Sequence, residues 1–369
     1  MRRERIAVGL SGGVDSALAA ALLVEAGHEV IGLTMRIWDE SLGLRESRGH
    51  ACLGPDEAHE VADAAAVARQ LGIPHHVFDL SEEYGRTVLG YFRSEYLAGR
   101  TPNPCVVCNR SLKFGLLLRG ARRSGLSFDA FATGHYVRTA ERDGRWYLLK
   151  GADPGKDQSY FLVGLSRADL PGLRFPLGAF DKTRTRNEAR RLGLVVAERE
   201  ESQDFVAGGD YTPLFTPGEV RPGEIVDTQG RVLGRHEGIV RFTVGQRRGL
   251  GVAADRPLYV LRLEAATNRV VVSDRDDLLA DGLEGSGLNL LGADTLEPGR
   301  AVQARLRQGQ REFPARAWQE AGDPTRFRLL FDAPRAAVAP GQFAVLYDGD
   351  VVLGGGVIDR PVRRAREEN

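Results

Sequence analysis

The pattern of apolar and polar positions changes character along this chain. In residues 1–203, compact apolar runs such as Ile6–Leu10 and Val30–Met35 alternate with Ala- and Leu-rich helical patterns such as Ser16–Ala26. This alternation is typical of βαβ units, in which parallel strands are covered by helices. We therefore predict an α/β fold with a parallel sheet for this region.

Further elements in the same region are predicted from capping residues and short apolar runs. Asp56 is expected to cap a helix around Ala58–Leu71. Strands are predicted at His76–Leu80 and Phe128–Thr133, and the stretch Thr101–Asn109, which contains prolines and cysteines, is predicted to be a loop. The apolar face of the helix is expected to consist of four residues: Val61, Ala65, Ala68 and Leu71.

From residue 204 onward, short apolar runs with a period of two are separated by turns rich in Gly and Pro. This texture is typical of small β-barrels or sandwiches. A boundary near Gly282–Gly292 would divide the region, so we predict domains over residues 1–203, 204–282 and 283–369. The predicted strands are Arg241–Val244, Tyr259–Leu263, Arg269–Ser273, Ala301–Arg307, Arg326–Phe331, Phe343–Tyr347 and Val351–Ile358.

Composition narrows the class of protein. Lys+Arg and Asp+Glu number 50 each, so the formal net charge is zero and a nucleic-acid partner would need a local basic face. Three cysteines in 369 residues exclude a secreted disulfide scaffold. No apolar run reaches the roughly 18 residues of a membrane span. A cytoplasmic location without a membrane partner is expected. Four of the basic residues are lysines: Lys113, Lys150, Lys156 and Lys182.

The most specific local signal follows the first predicted strand. Ile6–Leu10 leads directly into the string S-G-G-V-D-S at Ser11–Ser16, and a helical pattern follows. A strand end, glycines and a helix N-terminus together suit an anion, and serine hydroxyls can donate to phosphate. Asp15 adds negative charge, which makes sense if Mg²⁺ bridges its carboxylate to phosphates. The string lacks G-K-[ST] and is therefore not a Walker A loop.

This six-residue string resembles the signature of the PP-loop ATP pyrophosphatases. Members of that family split ATP between the α- and β-phosphates and adenylate a substrate. The resemblance implies that the loop cradles the pyrophosphate part of ATP. A tight glycine turn without a ligand is the alternative for any Gly-Gly pair after a strand.

Further strings resemble those of the tRNA-specific 2-thiouridylases, in the same order and up to about Ile358. The resemblance implies a Rossmann-like PP-loop domain, a central β domain and a C-terminal β-barrel. It also implies ATP and Mg²⁺, a tRNA substrate, and adenylation of the uracil C2 oxygen of the wobble uridine before sulfur displaces AMP. The strings are Thr34–Glu40, Ala98–Asn109, Lys113–Gly115, Ala132–Tyr136, Lys156–Phe161 and Thr243–Gly251.

By this resemblance, individual positions take binding roles. Met35 would lie near adenine, although its pattern alone favours core packing, and His135 could equally be a core histidine. Arg247–Arg248 and the basic run Lys182–Arg191 could face tRNA or be solvated surface. The implied ATP site is Gly9, Leu10, Ser11, Gly12, Gly13, Val14, Asp15, Ser16, Met35 and Gly134. The implied tRNA site is Asn103, His135, Lys156, Asp157, Gln158, Arg305, Arg307 and Gln342.

The cysteines are where this sequence departs from the family. Relatives have Asp-x-x-Cys where this chain has Cys105 and Cys108, and their second cysteine lies in a string like S-Q-E-I-C-F. The corresponding string here, Glu201–Phe205, has no cysteine. Cys108 therefore matches the sulfur-transferring nucleophile, while its distant partner is missing. The implied catalytic residues are Cys108, Cys105 and Asp15.

Three interpretations of the thiol site follow. Cys105 could supply the lost thiol locally, so that one thiol carries a persulfide and the other resolves it as a disulfide. Alternatively, Cys52, Cys105 and Cys108 could ligate a [4Fe–4S] cluster, or the three could bind zinc together with His50.

Since no desulfurase signature is present, a protein sulfur donor is expected, either a cysteine desulfurase or a sulfur carrier. Two competing functions are another PP-loop enzyme that acts on a small carboxylate or amide, and a nucleotide-binding regulator that also binds RNA.

Overall fold

The computed structural model describes residues 3–39, 42, 51–199, 204–206 and 210–363. The chain divides into two compact units. The first comprises Met1–Val88, Cys105–Asp210 and Asp350–Val352, and the second comprises Leu89–Pro104, Tyr211–Gly349 and Leu353–Asn369. Within the described residues, no helix has both the length and the apolar character needed to cross a membrane.

A five-stranded parallel sheet forms the centre of the first unit, as the alternating pattern predicted. Its order is β4-β2-β1-β5-β8. The central strand is buried on both faces because it consists of the apolar run that begins at Ile6. The strands are β1 (Arg5–Gly9), β2 (Glu29–Arg36), β4 (His75–Asp79), β5 (Ala130–Ala132) and β8 (Leu173–Arg174).

Four further strands belong to this unit. A short parallel pair joins β3 (Ala51–Leu53) to β9 (Asp204–Val206). An antiparallel hairpin, which was not predicted from the sequence, joins β6 (Val137–Arg142) to β7 (Arg145–Lys150). Asp143 and Gly144 form its turn with φ of 51° and 72°, as a two-residue hairpin requires.

Helices cover this sheet. The first is packed with buried Ala and Leu side chains, which lie against strands on one side and against a later helix on the other. The α-helices of the chain are α1 (Val14–Glu25), α2 (Glu57–Leu71), α3 (Ser81–Tyr84), α4 (Gly90–Leu97, in the second unit), α5 (Pro104–Cys108), α6 (Leu117–Arg123) and α7 (Lys182–Arg191). Two π-helices are π1 (Gly85–Leu89) and π2 (Asn109–Leu116). Short 3₁₀ helices are Ser159–Leu162, Arg167–Gly172, Thr212–Leu214, Ile239–Arg241 and Asp276–Leu278.

Two details of α2 differ from the prediction. Asp56 occupies the N-cap position, but its side chain makes no capping hydrogen bond. The buried face consists of Ala64, Val67 and Ala68, whereas Val61 and Ala65 are only half-buried. The predicted face was therefore displaced by about one residue around the helix.

The second unit is rich in β structure. One sheet has the order β11-β10-β13-β12, and six further strands close into a barrel because β14 pairs with both β17 and β19. The first set is β10 (Gly223–Val226), β11 (Val232–His236), β12 (Tyr259–Glu264) and β13 (Arg269–Ser273). The barrel strands are β14 (Leu279–Leu290), β15 (Arg300–Arg305), β16 (Phe313–Glu320), β17 (Asp323–Ala336), β18 (Phe343–Asp348) and β19 (Val351–Val362).

The predicted fold class is confirmed, but two local predictions were wrong. Residues 241–244 are not a strand, since a 3₁₀ helix ends at Arg241. The stretch Thr101–Asn109 is a loop only until Asn103, because α5 begins at Pro104. The boundary near Gly282–Gly292 stays a prediction, and β14 runs through most of this stretch. Glu40, His50 and Glu201–Gln203 lie outside the described residues.

Candidate functional site

The loop Ser11–Gly13 joins β1 to α1, and hydrogen bonds of the Ser16 hydroxyl hold it in place. The Ser11 backbone N–H donates to the Ser16 hydroxyl at 3.1 Å, and this hydroxyl donates to the Gly13 carbonyl at 3.0 Å. Gly12 has a φ of +77°, and a Cβ there would lie 2.4 Å from the Glu60 carbonyl oxygen. The helix begins at Gly13 without a side-chain cap. Its first N–H groups and positive dipole end therefore remain available to an anion.

Several of the predicted ATP-site residues come together at one edge of the sheet. Gly9 ends β1, Met35 lies at the end of β2, and Gly134 follows β5. These strands are parallel neighbours, so their carboxyl ends lie at the same edge, where α/β proteins bind ligands. A Cβ on Gly134 would lie 2.7 Å from the carbonyl carbon of Asp15 and 2.8 Å from the Ser16 nitrogen. Only glycine lets these segments approach so closely.

Asp15 is held by two residues from distant parts of the first unit. Its Oδ1 accepts hydrogen bonds from the Lys182 ammonium at 2.7 Å and from the Tyr136 hydroxyl at 2.8 Å. The Tyr136 hydroxyl oxygen also lies 3.0 Å from the Thr185 hydroxyl. Of the two interpretations of the basic run at 182–191, neither foresaw this ion pair between its first residue and the loop carboxylate.

The other side of the loop is held by Arg199, which is not among the residues predicted for the site. Its guanidinium donates to the Gly12 carbonyl at 3.5 Å and contacts the carboxylates of Glu60 and Asp63. Burial raises the pKa of Glu60 to about 7, while Arg199 lowers it. The loop is thus held by a partly exposed group of charges from Glu60, Asp63 and Arg199, which lie too far apart in sequence for a local pattern to reveal.

The segment after Met35 is fixed by a buried carboxylate. Glu57, at the start of α2, accepts hydrogen bonds from the backbone N–H groups of Ile37 at 2.6 Å and Trp38 at 3.0 Å. Burial raises the pKa of Glu57, whereas these hydrogen bonds lower it.

Cys105 and Cys108 lie three positions apart on α5, which places both on one face of the helix. Both are half-buried thiols, whereas Cys52 on β3 is exposed. The register of β3 with β9 pairs Ala51 with Asp204 and Leu53 with Val206, so Cys52 lies beside Phe205. Cys52 is therefore adjacent to the string in which this chain lacks the family's second cysteine.

Cys52 influences Cys108, and all three cysteines influence a buried tyrosine. Burial raises the pKa of Cys108 to about 11, the positive charge of Lys113 lowers it, and the negative charge of Cys52 raises it. The pKa of Tyr84 is raised well above 10, first by burial and then by Cys108, Cys52 and Cys105. The four side chains therefore share one neighbourhood of the first unit. At pH 7 the Cys108 thiol is almost fully protonated.

No metal site is formed by these thiols as the structure describes them. Among the described residues, no three side chains of His, Cys, Asp or Glu are arranged to hold a metal ion. The cluster and zinc interpretations therefore gain no geometric support, and His50, the fourth candidate zinc ligand, lies outside the described part of the chain.

Two of the predicted tRNA residues meet in the second unit, although 239 positions separate them. The Asn103 amide donates to the Gln342 side-chain oxygen at 3.5 Å, and Gln342 donates to the carbonyl oxygens of Thr101 at 3.3 Å and Pro102 at 3.0 Å. The backbone N–H of Asn103 donates to the Tyr91 hydroxyl at 3.2 Å. Gln342 thus supports the segment before the cysteine helix.

His135 lies half-buried in an aromatic environment in the first unit. Its ring is 5.9 Å from that of Phe114 and 6.4 Å from that of Phe175, and its Nδ1 lies 2.8 Å from the Thr133 hydroxyl. Burial lowers the pKa of His135 well below 6.5, and the charge of Lys113 lowers it further. The imidazole is therefore neutral at pH 7 and suits hydrogen bonding or stacking better than pairing with phosphate.

The predicted segment Lys156–Gln158 contains two inward-facing residues. Asp157 is buried and accepts hydrogen bonds from the backbone N–H groups of Gly151 at 2.8 Å and Ser159 at 3.2 Å. The Gln158 side chain accepts from the Tyr136 backbone N–H at 3.0 Å. Lys156 is half-exposed and is the member of the three whose charge best suits RNA.

Arg305 and Arg307 also differ from each other in how far their side chains are exposed to solvent. Arg305 is 8% exposed, donates to Glu312 at 2.6 Å and lies 4.9 Å from the centre of the Tyr347 ring. Arg307 is exposed. The arrangement offers the Arg307 guanidinium, rather than that of Arg305, to a phosphate.

Comparison with known families gives a consistent result along the chain. Three family models match in order: a tRNA methyl transferase HUP domain over residues 4–207, a tRNA methyl transferase PRC-barrel domain over 215–274 and an aminomethyltransferase beta-barrel domain over 281–358. Among solved structures, the chain is similar to a 4-thiouridine synthetase–RNA complex with bound ATP. The TM-score is 0.36 at 17% identity, covering 56% of this chain and 46% of that one. That likeness is too distant to inform function.

Curated relatives are much closer. The chain is 42% identical over 369 residues to the tRNA-specific 2-thiouridylase MnmA of Acetivibrio thermocellus, covering 97% of this chain and 100% of the relative. It is 47% identical over 363 residues to the protein of the same name from Syntrophotalea carbinolica, covering 97% and 99%. Identity at this level over nearly the whole of both chains shows that this protein belongs to the tRNA-specific 2-thiouridylase (MnmA) family.

Proposed function

We propose that this chain catalyses ATP-dependent 2-thiolation of the wobble uridine of tRNA. The uracil C2 oxygen attacks the α-phosphate of ATP, pyrophosphate leaves, and the oxygen becomes an adenylate. Sulfur then attacks C2 and AMP leaves. The observation that carries the proposal is the presence, in one unit, of an uncapped anion loop and a neighbourhood of three thiols around the buried Tyr84. A tRNA substrate is consistent with the cytoplasmic location that is expected from the sequence.

The nucleotide end of the site suits ATP with Mg²⁺. The loop N–H groups and the two serine hydroxyls would receive the phosphates, and Gly134 lets the segment after β5 approach Asp15 and Ser16 closely. Mg²⁺ binds through one or two carboxylates when phosphates supply further oxygen ligands, and Asp15 supplies one such carboxylate. When bound, the metal neutralises charge that develops on the leaving pyrophosphate.

The sulfur end suits a pair of thiols better than a cluster. A protein donor, either a cysteine desulfurase or a sulfur carrier, would place a sulfur atom on Cys108 as a persulfide. The terminal sulfur attacks C2 and AMP leaves, which joins Cys108 to the base through a disulfide. The Cys105 thiolate then attacks the Cys108 sulfur, releases 2-thiouridine and forms a Cys105–Cys108 disulfide. An external thiol returns the two electrons that restore both cysteines.

The helix supports this pairing. Residues three apart on an α-helix have Cα atoms about 5 Å apart, which lies within the range that disulfides bridge. Cys52 stays a candidate for the same role, because its negative charge raises the pKa of Cys108.

Iron reconstitution tests the alternative of a [4Fe–4S] cluster. We expect the anaerobically purified chain, incubated with iron and sulfide and then desalted, to retain less than one iron per chain and to thiolate tRNA fully with a persulfide donor. The reason is that the described residues offer no three-ligand group. Retention of about four irons per chain, together with activity only in the reconstituted protein, would show that the cysteines ligate a cluster instead.

The overall function is tested by coupling ATP cleavage to tRNA. With tRNA, Mg²⁺ and a persulfide donor, we expect one AMP and one pyrophosphate for each 2-thiouridine formed. Pyrophosphate release that responds to a small carboxylate or amide and not to tRNA would indicate another PP-loop enzyme. ATP binding without cleavage in the presence of tRNA would indicate a regulator. Methyl transfer, named in two of the family descriptions, would need neither ATP cleavage nor sulfur.

A further inference from the structure

The helix that carries the cysteines changes its winding at Cys108. Residues Pro104–Cys108 are α-helical, and π2 begins with Asn109, so that Cys108 is the N-cap residue of the π-helix. In an α-helix, a residue five positions further on lies about 140° around the axis and faces away. A π-helix winds more slowly, so residue i+5, which the backbone hydrogen bond joins to residue i, lies much nearer to the side of residue i. The change of winding therefore brings Lys113 onto the side of Cys108.

Lys113 also differs from Lys182 and Lys150 in its surroundings. Lys182 pairs with Asp15 at 2.7 Å, and Lys150 lies 4.0 Å from Asp350. Within the described part of the chain, no carboxylate lies within ion-pair distance of the half-buried Lys113 ammonium. A partly buried charge without a counter-ion is costly, so such a group is expected where an anion forms during function.

The effects of the Lys113 charge on neighbouring pKa values agree with this position of its side chain. The charge of Lys113 lowers the pKa of Cys108, against the effect of burial, and it also lowers the pKa of His135. The ammonium therefore acts on both the proposed nucleophile and the proposed tRNA-contacting histidine. A cation favours an anion nearby and disfavours a second cation, so both directions follow from one position of this charge.

We propose that Lys113 is the counter-ion of the sulfur anion on Cys108, and that π2 exists in this chain to bring the two side chains together. The proposal rests on the proposed role of Cys108. It assigns a positioning and charge-stabilising role to a residue of the string Lys113–Gly115. When the thiol or persulfide of Cys108 loses its proton, the ammonium replaces part of the hydration that burial removes.

The test measures the acidity of the Cys108 thiol. In pH jumps from 7 to 11, iodoacetamide alkylation of each cysteine would be followed by peptide mass spectrometry in the wild-type chain and in Lys113→Gln, Lys113→Met and Lys113→Arg. We expect the Gln and Met variants to alkylate Cys108 about tenfold more slowly at a given pH, with the pH profile displaced upward by about one unit. Lys113→Arg keeps the charge and is expected to stay within about threefold of wild type.

A matched control removes a lysine elsewhere in the same unit. Lys150→Gln carries the same charge change and is expected to leave Cys108 alkylation unchanged. Thermal unfolding shows which variants are folded. Lys113→Met and Lys113→Gln both remove the charge, so either one suffices for the test if the other does not fold. Unchanged Cys108 profiles in a folded neutral variant would overturn the proposal. Equal slowing in Lys113→Arg and Lys113→Gln would also overturn it, because size rather than charge would then be responsible.

This measurement needs neither ATP nor tRNA. A failure of the Lys113 proposal is therefore distinguishable from a failure of the proposed reaction, which the tRNA-dependent release of pyrophosphate tests separately. Where both hold, single-turnover thiolation by Lys113→Gln is expected to slow by about the same factor of ten as alkylation, while release of pyrophosphate stays near the wild-type rate.

Discussion

Replacing Cys108 with serine is expected to abolish 2-thiolation while tRNA-dependent release of pyrophosphate continues near the wild-type rate. Adenylation depends on the loop Ser11–Gly13 and on Asp15, which contact no cysteine in the proposed mechanism. Sulfur transfer requires a thiol that a hydroxyl cannot replace. Loss of a nucleophile costs on the order of 10⁴-fold or more in comparable enzymes. The measurement is the ratio of 2-thiouridine to pyrophosphate in the same reaction.

The other two cysteines supply the internal controls for this experiment. Cys105→Ser is expected to stop after the first attack and to leave tRNA joined to Cys108 by a disulfide that a small thiol releases. Cys52→Ser is expected to turn over normally. The opposite pattern, with the adduct in Cys52→Ser, would assign the resolving role to Cys52 on β3. Loss of pyrophosphate release in Cys108→Ser would mean that this residue supports the nucleotide end of the site and would contradict the separation of the two steps.

The sequence predicts those parts of the nucleotide site that are contiguous. The strand Ile6–Leu10, the loop after it and the start of the helix are read from neighbouring residues, and each is present in the structure. Lys182 reaches Asp15 from 167 positions away, so no local pattern could have found it. Arg199 is 187 positions from Gly12 and illustrates the same limit.

The cysteine helix was missed for a different reason. Proline and cysteine suggested a loop, yet Pro104 is the first residue of α5, where its fixed φ and missing N–H favour a helix. Val106 and Val107 are buried and anchor that short helix. The π-helix that follows depends on how the whole segment packs, and a periodicity of 3.6 residues does not reveal it.

In the β-rich half, the alternation of apolar and polar residues predicted some strands correctly and one wrongly. The predicted strands Tyr259–Leu263 and Phe343–Tyr347 were correct, although burial does not alternate in either: Phe343–Tyr347 is buried at every position, and the buried residues Val260 and Leu261 are adjacent. The alternation at 241–244 was misleading, since Phe242 is buried next to a 3₁₀ helix rather than in a sheet. In the first unit, the turn Asp143–Gly144 is a strong hairpin signal, but polar flanking residues concealed it.

Asparagine in place of Asp15 is expected to reduce tRNA-dependent pyrophosphate release by about 10³-fold. The asparagine side chain keeps the shape of the carboxylate, and its oxygen can still accept the Tyr136 hydroxyl, so the fold should persist. What disappears is the negative charge that would ligate Mg²⁺. The variant should therefore lose most of its response to Mg²⁺ concentration. Asp350→Asn is the matched control, because its carboxylate pairs with Arg138 at 2.8 Å on the surface of the same unit.

The Lys182→Met variant tests whether Asp15 binds Mg²⁺ or only orients Lys182. The ammonium and Mg²⁺ would compete for the same carboxylate oxygen of Asp15. Removing the ammonium is therefore expected to lower the Mg²⁺ concentration for half-maximal pyrophosphate release by about fivefold, which corresponds to a contact of about 1 kcal/mol. If Asp15 served only to orient Lys182, both single variants and the double variant would lose the same activity, with no difference in their Mg²⁺ dependence. Opposite displacements of the Mg²⁺ dependence in the two variants therefore identify Asp15 as the metal-binding carboxylate.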